Sequence, residues 1–324
     1  MSNPRVLCLG EVLYDCLADQ AGRSLDAVES WTPYPGGAPA NVACALVKLG
    51  TSSGFIGCVG QDEAGNSLVE LLQKIGVDTT GIQRHPKAPT RQVYVLRSLA
   101  GDRSFAGFGL SDTTEFADAF LQADQLRVEL FERAEFLVLG TLELAYPETR
   151  EAITRAIQLA EQYHLKILVD VNWRPMFWPD QFAATAQILE LIQHVDFVKL
   201  SLEEAEWLFG TTNAKAIADR FDSLEGVLIT DGDKGCAFCF SHENEGRLPA
   251  FPVKAEDTTG SGDGFVAGII HQICLKGIQA LSDPQAARRM VAYASAVGAM
   301  IAMKPGAIAA QPTADQVEEF LRSH

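Results

Sequence analysis

Short apolar runs rich in β-branched residues alternate with stretches of helical spacing along most of this chain. Strand-like runs occur at residues 6–10, 53–59 and 167–171. Helical patterns such as Ala38–Leu49 and Pro147–Tyr163 lie between such runs. Strands that alternate with helices favour βαβ units, in which parallel strands are buried on both faces. The sequence therefore predicts an α/β fold with a doubly wound, mainly parallel sheet flanked by helices.

Two segments, at about residues 12–34 and 91–108, depart from this alternation because they have strand-like patterns without a helix. In the second, Gly101-Asp102 separates two such runs, which is a hairpin signal. We expect the two segments to pair into a small β-sheet lid beside the main sheet. No repeat or linker interrupts the chain, so residues 1–324 are predicted to form a single domain.

The net charge of −16, from 42 acidic and 26 basic residues, disfavours nucleic acid and anionic membranes as partners. No run approaches the ~18 apolar residues of a membrane span, and the apolar stretch near the N-terminus is too short for a signal peptide. The seven cysteines are scattered and odd in number. A cytoplasmic protein with reduced cysteines is expected, and the Cys236–Cys239 pair is interpreted as part of a strand rather than as a zinc site.

The strongest chemical signal is a glycine-rich turn at residues 257–264 that opens an apolar helix. Glycines allow successive N–H groups to converge, and a helix N-terminus adds partial positive charge, so the segment predicts an anion site. Asp263 places a carboxylate beside that site. Taking the proton from a nucleophilic hydroxyl would explain it; in the alternative interpretation, Asp263 caps the helix and the glycines only form a turn.

A second glycine-rich helix entry, residues 35–43, lies more than 200 residues upstream. Together the two segments resemble the N-terminal sugar-binding signature and the C-terminal catalytic signature of the PfkB (ribokinase-like) carbohydrate kinases. The resemblance covers nearly the whole chain and is closest to the fructokinase branch. The other matching segments are Gly10-Glu11, Asp15, and residues 88–90, 101–105 and 170–174.

This resemblance implies a ribokinase-like fold and an ATP-dependent sugar kinase. The expected reaction moves the γ-phosphoryl group to a primary hydroxyl of a ketohexose, with fructose to fructose 6-phosphate as the first choice. Asp263 corresponds to the general base, and Gly260, Ser261 and Gly262 correspond to the anion hole. The implied cofactors are ATP, Mg2+ and K+. Lids in this family can pair, which leaves a homodimer open.

The resemblance also assigns binding residues. Sugar contacts fall on Asp15, Gly36, Gly37, Asn41 and Arg174. ATP contacts fall on Thr230, Gly232, Gly235 and Ser201. Glu204 would orient magnesium through water, and Asp257 and Thr259 would belong to a monovalent-cation site. The sugar assignment is chemically apt, because carboxylate and amide groups can each pair with neighbouring hydroxyls. Arg174 and Lys199 could instead touch phosphate or pair with carboxylates.

Two departures concern the binding sites. Where ribokinases have Asn-x-x-Glu, this chain has Ser201-Leu-Glu-Glu204. Where plant fructokinases have Arg-Asn-Pro-Ser-Ala-Asp, it has Phe108-Gly-Leu-Ser-Asp112, so part of the sugar pocket is expected to differ. The alternatives are a 2-keto-3-deoxygluconate kinase, a nucleoside kinase and a non-catalytic PfkB-like interaction protein. The first would need a cation for its acidic substrate, and the candidates are Arg97, Arg103 and Arg174.

Three further side chains are ambiguous. Trp173 and Trp178 are interpreted as core packing rather than as a platform for a sugar ring. His271 is predicted to flank the nucleotide or to pack on its helix rather than to bind a metal.

Overall fold

The computed structural model describes residues 3–98, 103–109 and 112–324. The strands are β1 (Val6–Leu9), β2 (Leu13–Ala18), β3 (Trp31–Gly36), β4 (Ser53–Gly60), β5 (Asp78–His85), β6 (Gln92–Arg97), β7 (Arg103–Gly107), β8 (Phe136–Leu139), β9 (Lys166–Asp170), β10 (Phe197–Ser201), β11 (Gly226–Thr230), β12 (Cys236–Phe240) and β13 (Asn244–Leu248). The α-helices are α1 (Ala38–Leu49), α2 (Glu63–Ile75), α3 (Val128–Phe131), α4 (Pro147–Tyr163), α5 (Gln181–Ile192), α6 (Leu202–Phe209), α7 (Ala214–Ala218), α8 (Ser261–Lys276), α9 (Pro284–Ala302) and α10 (Ala314–Ser323).

The main sheet has nine strands in the order β13-β12-β11-β10-β9-β8-β1-β4-β5. All neighbours from β11 to β5 pair in parallel, whereas β12 and β13 are antiparallel at one edge. Side chains of β1 alternate between two hydrophobic cores, with Val6 and Cys8 in one and Leu7 and Leu9 in the other. Helices α1, α2, α8, α9 and α10 cover the first face, and α4 to α7 cover the second. The predicted doubly wound α/β fold is confirmed.

A second sheet has four strands in the order β3-β2-β6-β7, and we call it the lid. Strand β2 pairs in parallel with β6, and the other two pairs are antiparallel. It arises from the two segments that lack helices, as the sequence predicts. The proposed hairpin turn at Gly101-Asp102 lies outside the described residues, as do positions 110 and 111 of the segment that departs from the plant pattern.

The two cysteines of the CxxC segment lie in β12, both buried and without a disulfide, as the strand interpretation requires. A capping box begins α10, since Thr313 and Gln316 bond to each other's backbone N–H groups. Within the described part of the chain, no helix is long and apolar enough to cross a membrane.

Close packing of α8 against α9 fixes the helix that carries Asp263. Two glycines of α8 face α9 where there is little room for a side chain. A Cβ atom at Gly268 would lie 2.7 Å from the Cα atom of Ala294, which belongs to the backbone of α9. At Gly264, it would lie 2.3 Å from Cδ1 of Ile301, the far end of a flexible side chain. The two helices therefore touch most rigidly at Gly268.

We expect Gly268→Ala to lower the free energy of unfolding by ~1–3 kcal/mol relative to Gly264→Ala. Both variants gain the same helix propensity, about 0.5–1 kcal/mol, so their difference isolates packing. Only Gly268 meets backbone that cannot rotate away, whereas Ile301 can change rotamer. Urea unfolding of both variants measures the difference. Equal stabilities, or a more stable Gly268→Ala protein, would contradict this account of the contact.

Candidate active site

A cavity of about 620 Å³ opens between the carboxyl ends of the central strands and the lid. Residues that follow β1, β8 and β9 line it, represented by Glu11, Thr141 and Asn172. The lid contributes Asp15 and Phe105 from the opposite side. Ligands of open α/β sheets bind outside the carboxyl ends of the strands, so this cavity is the expected substrate site.

The N-terminus of α8 points into this cavity. Gly260 is the N-cap with φ +82°, and a Cβ atom there would lie 2.7 Å from that of Ala307, so both conformation and space favour glycine. Gly262 lines the cavity wall. The N-cap residue Gly260 makes no side-chain cap, and the hydrogen bond recorded for the Asp263 side chain comes from Asn41 and not from the backbone of α8, which argues against Asp263 as a helix cap. The helix therefore presents its positive end to the cavity, where an anion is stabilised.

Asp263 lines the cavity and lies in the first turn of α8. Its Oδ2 atom accepts a hydrogen bond of 2.8 Å from Nδ2 of Asn41. Burial raises the pKa of Asp263 to about 6, and repulsion by Asp170 adds to this effect. The bond from Asn41 and the charges of Lys199 and Arg174 oppose the rise. The result is a carboxyl group that is ionised at neutral pH and still basic enough to accept a proton.

Lys199 and Asp170 form a buried ion pair on adjacent strands, with Nζ 3.1 and 3.2 Å from the two carboxylate oxygens. Burial lowers the pKa of Lys199, but attraction by Asp170 and Glu204 more than offsets it, so the net shift is upward. Lys199 also lines the cavity beside Gly262. The lysine therefore has a carboxylate partner, one of its two predicted roles, and remains charged next to the anion site.

Asn41 is held in place from several directions. Helix α1 begins after Gly37, whose φ of +102° and close approach to the backbone of Glu11 exclude a side chain. The Nε2 atom of Gln311 donates to the Asn41 carbonyl at 2.8 Å. Within the described part of the chain, Oδ1 of Asn41 is buried and has no hydrogen-bond partner. A buried amide oxygen that receives no hydrogen bond is suited to accept one from a hydroxyl group of a bound ligand.

Asp15 reaches the cavity from β2 of the lid. Gly36 leaves space for it, since a Cβ atom at Gly36 would lie 2.9 Å from Oδ2 of Asp15. Arg174 also lines the cavity. Arg97 instead donates to the carbonyls of residues 18 and 19, and the side chain of Arg103 lies outside the described part of the structure. Of the three arginines considered for an acidic substrate, Arg174 reaches the cavity.

A second pocket of about 260 Å³ lies on the other side of the α8 N-terminus and shares Thr258 and Gly262 with the main cavity. Its wall includes three of the residues expected to contact ATP, namely Thr230, Gly232 and Gly235. The rest of the wall is largely apolar: Ala250, Phe251, Val253, Ala255, Phe265, Ala299 and Ala302. The main cavity and the second pocket meet at the anion site. A phosphate chain that reaches from a nucleotide base in one to a sugar in the other would require this arrangement.

Ser201, the fourth predicted ATP contact, lines the main cavity and caps α6. Glu204 completes that capping box: Oε2 accepts from the Ser201 N–H at 2.7 Å, and Oε1 accepts from the Trp173 N–H at 2.6 Å. The pKa of Glu204 is raised, first by burial and then by repulsion from Asp170. The positive charge of Lys199 and the hydrogen bonds from backbone N–H groups oppose this rise. Its role toward magnesium stays a prediction, and its bonds to the backbone explain its fixed position at the cavity edge.

Asp257 and Thr259 shape the loop that leads into α8. Oδ1 of Asp257 accepts from the N–H and hydroxyl of Thr259 at 3.0 and 2.7 Å, and Oδ2 accepts from the Gly306 N–H at 3.2 Å. In the described ranges, no group of three His, Cys, Asp or Glu residues could hold a metal ion. A cation at this loop would therefore need backbone and hydroxyl oxygens besides the Asp257 carboxylate, and it stays a prediction.

The ambiguous side chains belong to the packing. Trp178 is buried, and Trp173 stacks on Trp207 with ring centroids 4.6 Å apart. His271 is buried and shares a hydrogen bond of 2.8 Å with Thr51. Of the two roles predicted for His271, contact with the nucleotide or packing on its helix, these contacts support packing.

Sequence reasoning missed three participants. Asp170 raises the pKa of Asp263 by repulsion, and Asn172 lines the cavity with φ +39°; both lie in the segment 170–174 that carried the resemblance. Glu11, in the Gly10-Glu11 match, was given no role, yet it lines the cavity and its Oε1 atom accepts from the Ala38 N–H at 2.7 Å. All three residues lie in segments that carry the resemblance to the family. Their contacts could not be predicted from those segments, because the fold determines which side chains surround each carboxylate.

Residues 3–314 match the pfkB family carbohydrate kinases. Fructokinase-2 of Oryza sativa subsp. japonica is 35% identical over 319 residues, covering 98% of this chain and 93% of that protein. The structure of a fructokinase from Xylella fastidiosa with bound ATP superposes with a TM-score of 0.88 at 27% identity, covering 98% of each chain.

The fructokinase of Vibrio cholerae O395, solved with fructose, ADP and a calcium ion, superposes with a TM-score of 0.85 at 27% identity, over 99% of this chain and all of that one. A double mutant of the Vibrio enzyme was solved with fructose, ADP and a potassium ion. This chain belongs to the PfkB family of carbohydrate kinases, and it is a carbohydrate kinase. That assignment sets aside the non-catalytic interaction protein considered from the sequence.

We expect the Asp263 carboxyl to titrate with a pKa of about 6. Asp170→Asn should lower this pKa, because it removes a like charge and leaves the positive charge of Lys199 unpaired near Asp263. The carboxyl carbon shift of 13C-labelled aspartate measures the titration, and Asp263→Asn assigns the resonance. A wild-type midpoint near the ordinary aspartate value of ~4, or an unchanged midpoint in Asp170→Asn, would contradict this account.

Proposed function

We propose that this kinase transfers the γ-phosphoryl group of ATP to the primary hydroxyl of a ketohexose, with fructose as the substrate and fructose 6-phosphate as the product. The observation that carries the proposal is the position of Asp263. It lies in the first turn of α8 and lines the main cavity, next to Gly262, which also lines the largely apolar pocket. A base beside an anion site is the combination that phosphoryl transfer to a hydroxyl needs.

In the proposed mechanism, the sugar hydroxyl donates its proton to Asp263 as its oxygen attacks the γ-phosphorus. A bond forms between that oxygen and phosphorus, and the bond from phosphorus to the bridging oxygen breaks, with ADP as the leaving group. The hydrogen bond from Asn41 fixes the orientation of the carboxylate before the sugar binds. A pKa of about 6 keeps the base ionised at neutral pH.

Charge on the transferring group is stabilised by the N-terminal amides of α8, at residues 260–262, and by the helix dipole. Lys199 lies beside Gly262 and adds a positive charge that its pair with Asp170 holds in place. These groups are fixed before the reaction, so they need no reorganisation when charge develops. The lid contributes Asp15 and closes the side of the cavity opposite α8, which limits access of water as a competing acceptor.

ATP is proposed to lie with its base in the apolar pocket near Phe251 and its phosphates at the junction with the main cavity. The Xylella fructokinase, which was solved with bound ATP, supports ATP as the nucleotide. Magnesium, when bound, would neutralise charge on the phosphates. Glu204 is fixed at the cavity edge by two backbone N–H groups, each on a different oxygen. Each oxygen retains a lone pair, which suits a carboxylate that orients a metal-bound water.

Fructose is favoured over an acidic sugar by the charge of the cavity wall. Five carboxylates line the cavity: Glu11, Asp15, Glu203, Glu204 and Asp263. Their hydroxyl-pairing oxygens suit a neutral polyol, whereas a sugar acid would be repelled. A 2-keto-3-deoxygluconate kinase remains the second candidate because Arg174 lies in the cavity and could pair with a substrate carboxylate.

Replacement of the proposed base tests the mechanism. Asp263→Ala and Asp263→Asn should each lower kcat by ~10²–10⁴-fold, since loss of a general base typically has this effect. The control is Asp124→Ala, which replaces an exposed aspartate distant from Asp263 in the sequence. Steady-state phosphorylation by purified, folded protein is the measurement. Turnover within a few-fold of wild type in either Asp263 variant would contradict the role.

The sugar assignment is tested by comparing kcat/KM for fructose, ribose, 2-keto-3-deoxygluconate and adenosine with ATP as donor. Fructose should be preferred, because a site that pairs with a hydroxyl can reject an analogue lacking it by ~10⁴-fold. Asp15→Asn should raise KM for fructose far more than KM for ATP. A higher value for any other acceptor would overturn fructose as the substrate, and equal effects on both KM values would remove Asp15 from sugar recognition.

A monovalent cation is proposed to order the loop that carries Asp257 and Thr259. The support is its position directly before the α8 N-terminus, together with the potassium-bound form of the Vibrio enzyme. The kinase should be more active in potassium than in tetramethylammonium at equal ionic strength. Rates that do not differ between the two salts would contradict this assignment.

A further inference from the structure

One arginine, Arg91, is completely buried and has no place in the mechanism above. Its side chain is 0% exposed, and it lies directly before β6, where the chain passes from the main sheet into the lid. Its guanidinium packs on the ring of Phe177, which lines the main cavity. A charged group so far from water must find partners for its charge and its N–H groups within the protein.

All three nitrogens of this guanidinium donate hydrogen bonds. Nε and Nη2 bond to the two carboxylate oxygens of Asp118 at 2.5 and 2.9 Å, which makes a bidentate pair. Nη1 donates to Oγ1 of Thr113 at 2.9 Å, and Nη2 donates to the Thr113 carbonyl at 3.0 Å. Both partners lie in the segment that follows β7, after the chain has left the lid. Arg91 therefore connects the entry to the β6–β7 pair of the lid with the exit from it.

The hydroxyl group of Tyr146 extends this connection to the cavity wall. It accepts from Nη2 of Arg91 at 3.1 Å and donates to the carbonyl of Phe177 at 2.9 Å. It also lies 2.6 Å from Oγ1 of Thr113. Tyr146 is 1% exposed, so water cannot replace these contacts readily. One buried hydroxyl thus links the point where the chain enters the lid to a residue that lines the main cavity.

Aromatic rings enclose the guanidinium. Four ring centroids lie 4.7 to 5.5 Å from Cζ of Arg91, within the range of cation–π attraction: Phe108, Phe116, Tyr146 and Phe177. Phe108 in turn contacts Phe105 of the lid, with ring centroids 5.1 Å apart. Phe105 and Phe177 both line the main cavity. The cluster around Arg91 therefore supports cavity residues from the lid and from the main domain.

The backbone of Arg91 also holds the neighbouring strand of the lid. Its carbonyl accepts from the N–H of Tyr14, in β2, at 3.1 Å. The next residue of β2 is Asp15, which lines the main cavity and is proposed to contact the sugar. The position of Arg91 therefore affects Asp15 as well as Phe177.

We propose that Arg91 and Tyr146 are positioning residues for the sugar: together they hold the lid, with Asp15, in a fixed place relative to the wall that includes Phe177. The inference rests on the proposed assignment of the main cavity as the sugar site. A buried ion pair adds little net stability, because lost hydration offsets its attraction. A guanidinium instead adds direction, since its rigid plane orients several acceptors at once.

The proposed role affects the sugar and not the nucleotide. Neither Arg91 nor Tyr146 lines the main cavity, so both act through Asp15 and Phe177. Neither lines the second pocket, where ATP is proposed to bind. Loss of the connection should therefore weaken sugar binding and leave ATP binding unchanged.

Tyr146→Phe is the principal test, because it removes the hydroxyl group and keeps the ring. Tyr293→Phe is the matched control: Tyr293 is also buried, at 3% exposed, and its hydroxyl has no hydrogen-bond partner in the part of the chain that the structure describes. Arg91→Lys keeps a positive charge beside Asp118, but an ammonium group cannot reproduce the planar arrangement of bonds to Asp118 and Thr113.

The measurement is steady-state kinetics with the sugar that the wild type phosphorylates fastest, together with the melting temperature of each variant. Tyr146→Phe should raise KM for the sugar ~3–10-fold, about the effect of one lost hydrogen bond, with little change in KM for ATP. Arg91→Lys should raise KM for the sugar further, because it loses several bonds. Tyr293→Phe should leave both KM values as in the wild type.

A lower melting temperature of Tyr146→Phe with an unchanged KM for the sugar would overturn the inference, since a purely structural role predicts that result. Equal increases in KM for the sugar and for ATP would also overturn it. If Arg91→Lys does not fold, the result for Tyr146→Phe decides.

Asp15→Asn, measured alongside, separates this inference from the proposed function. If Asp15→Asn raises KM for the sugar and Tyr146→Phe does not, the positioning role alone is overturned. If neither variant raises it, the assignment of the main cavity as the sugar site and the positioning role are both wrong.

Discussion

The hydrogen bond between Asn41 and Asp263 is the contact on which the account of this kinase depends. It joins residues 222 positions apart and connects the first turn of α1 to the first turn of α8. Both helices begin at glycines with positive φ, and both pack on the same face of the main sheet. The sheet therefore positions two helix N-termini so that an amide orients a carboxylate beside an anion site. Stable packing of the two helices is a condition for the chemistry.

Burial, together with the charges in and around the cavity, explains why the pKa of Asp263, the proposed base, is raised toward neutral pH. The chain carries a net charge of −16, and the cavity wall is rich in carboxylates. Burial and repulsion by Asp170 both disfavour the ionised form of Asp263, while the bond from Asn41 and the charge of Lys199 stabilise it in part. A triphosphate entering such a site must be met by local groups, namely the α8 amides, Lys199 and a bound cation. Local donors would therefore offset the unfavourable overall field.

The sequence predicted the fold class because periodicity reports local structure directly; helices α1 and α4 begin and end at the predicted residues. It also predicted which segments converge on the cavity, through two glycine-rich motifs that resemble a known family. It could not predict that Asn41 bonds to Asp263 or that Lys199 pairs with Asp170. These contacts depend on strand order and on side-chain direction at helix ends, and a single sequence encodes neither in a local pattern.

The most direct test of the central claim is a crystal structure of the wild-type enzyme with fructose, ADP, magnesium and aluminium fluoride, which imitates the transferring phosphoryl group. We predict that the primary hydroxyl oxygen of fructose lies within ~3.2 Å of an Asp263 carboxylate oxygen, a distance at which proton transfer is possible. We also expect the fluoride atoms to face the N–H groups of residues 260–262. A sugar whose primary hydroxyl points away from Asp263, or a fluoride group bound away from the α8 N-terminus, would contradict the proposed mechanism.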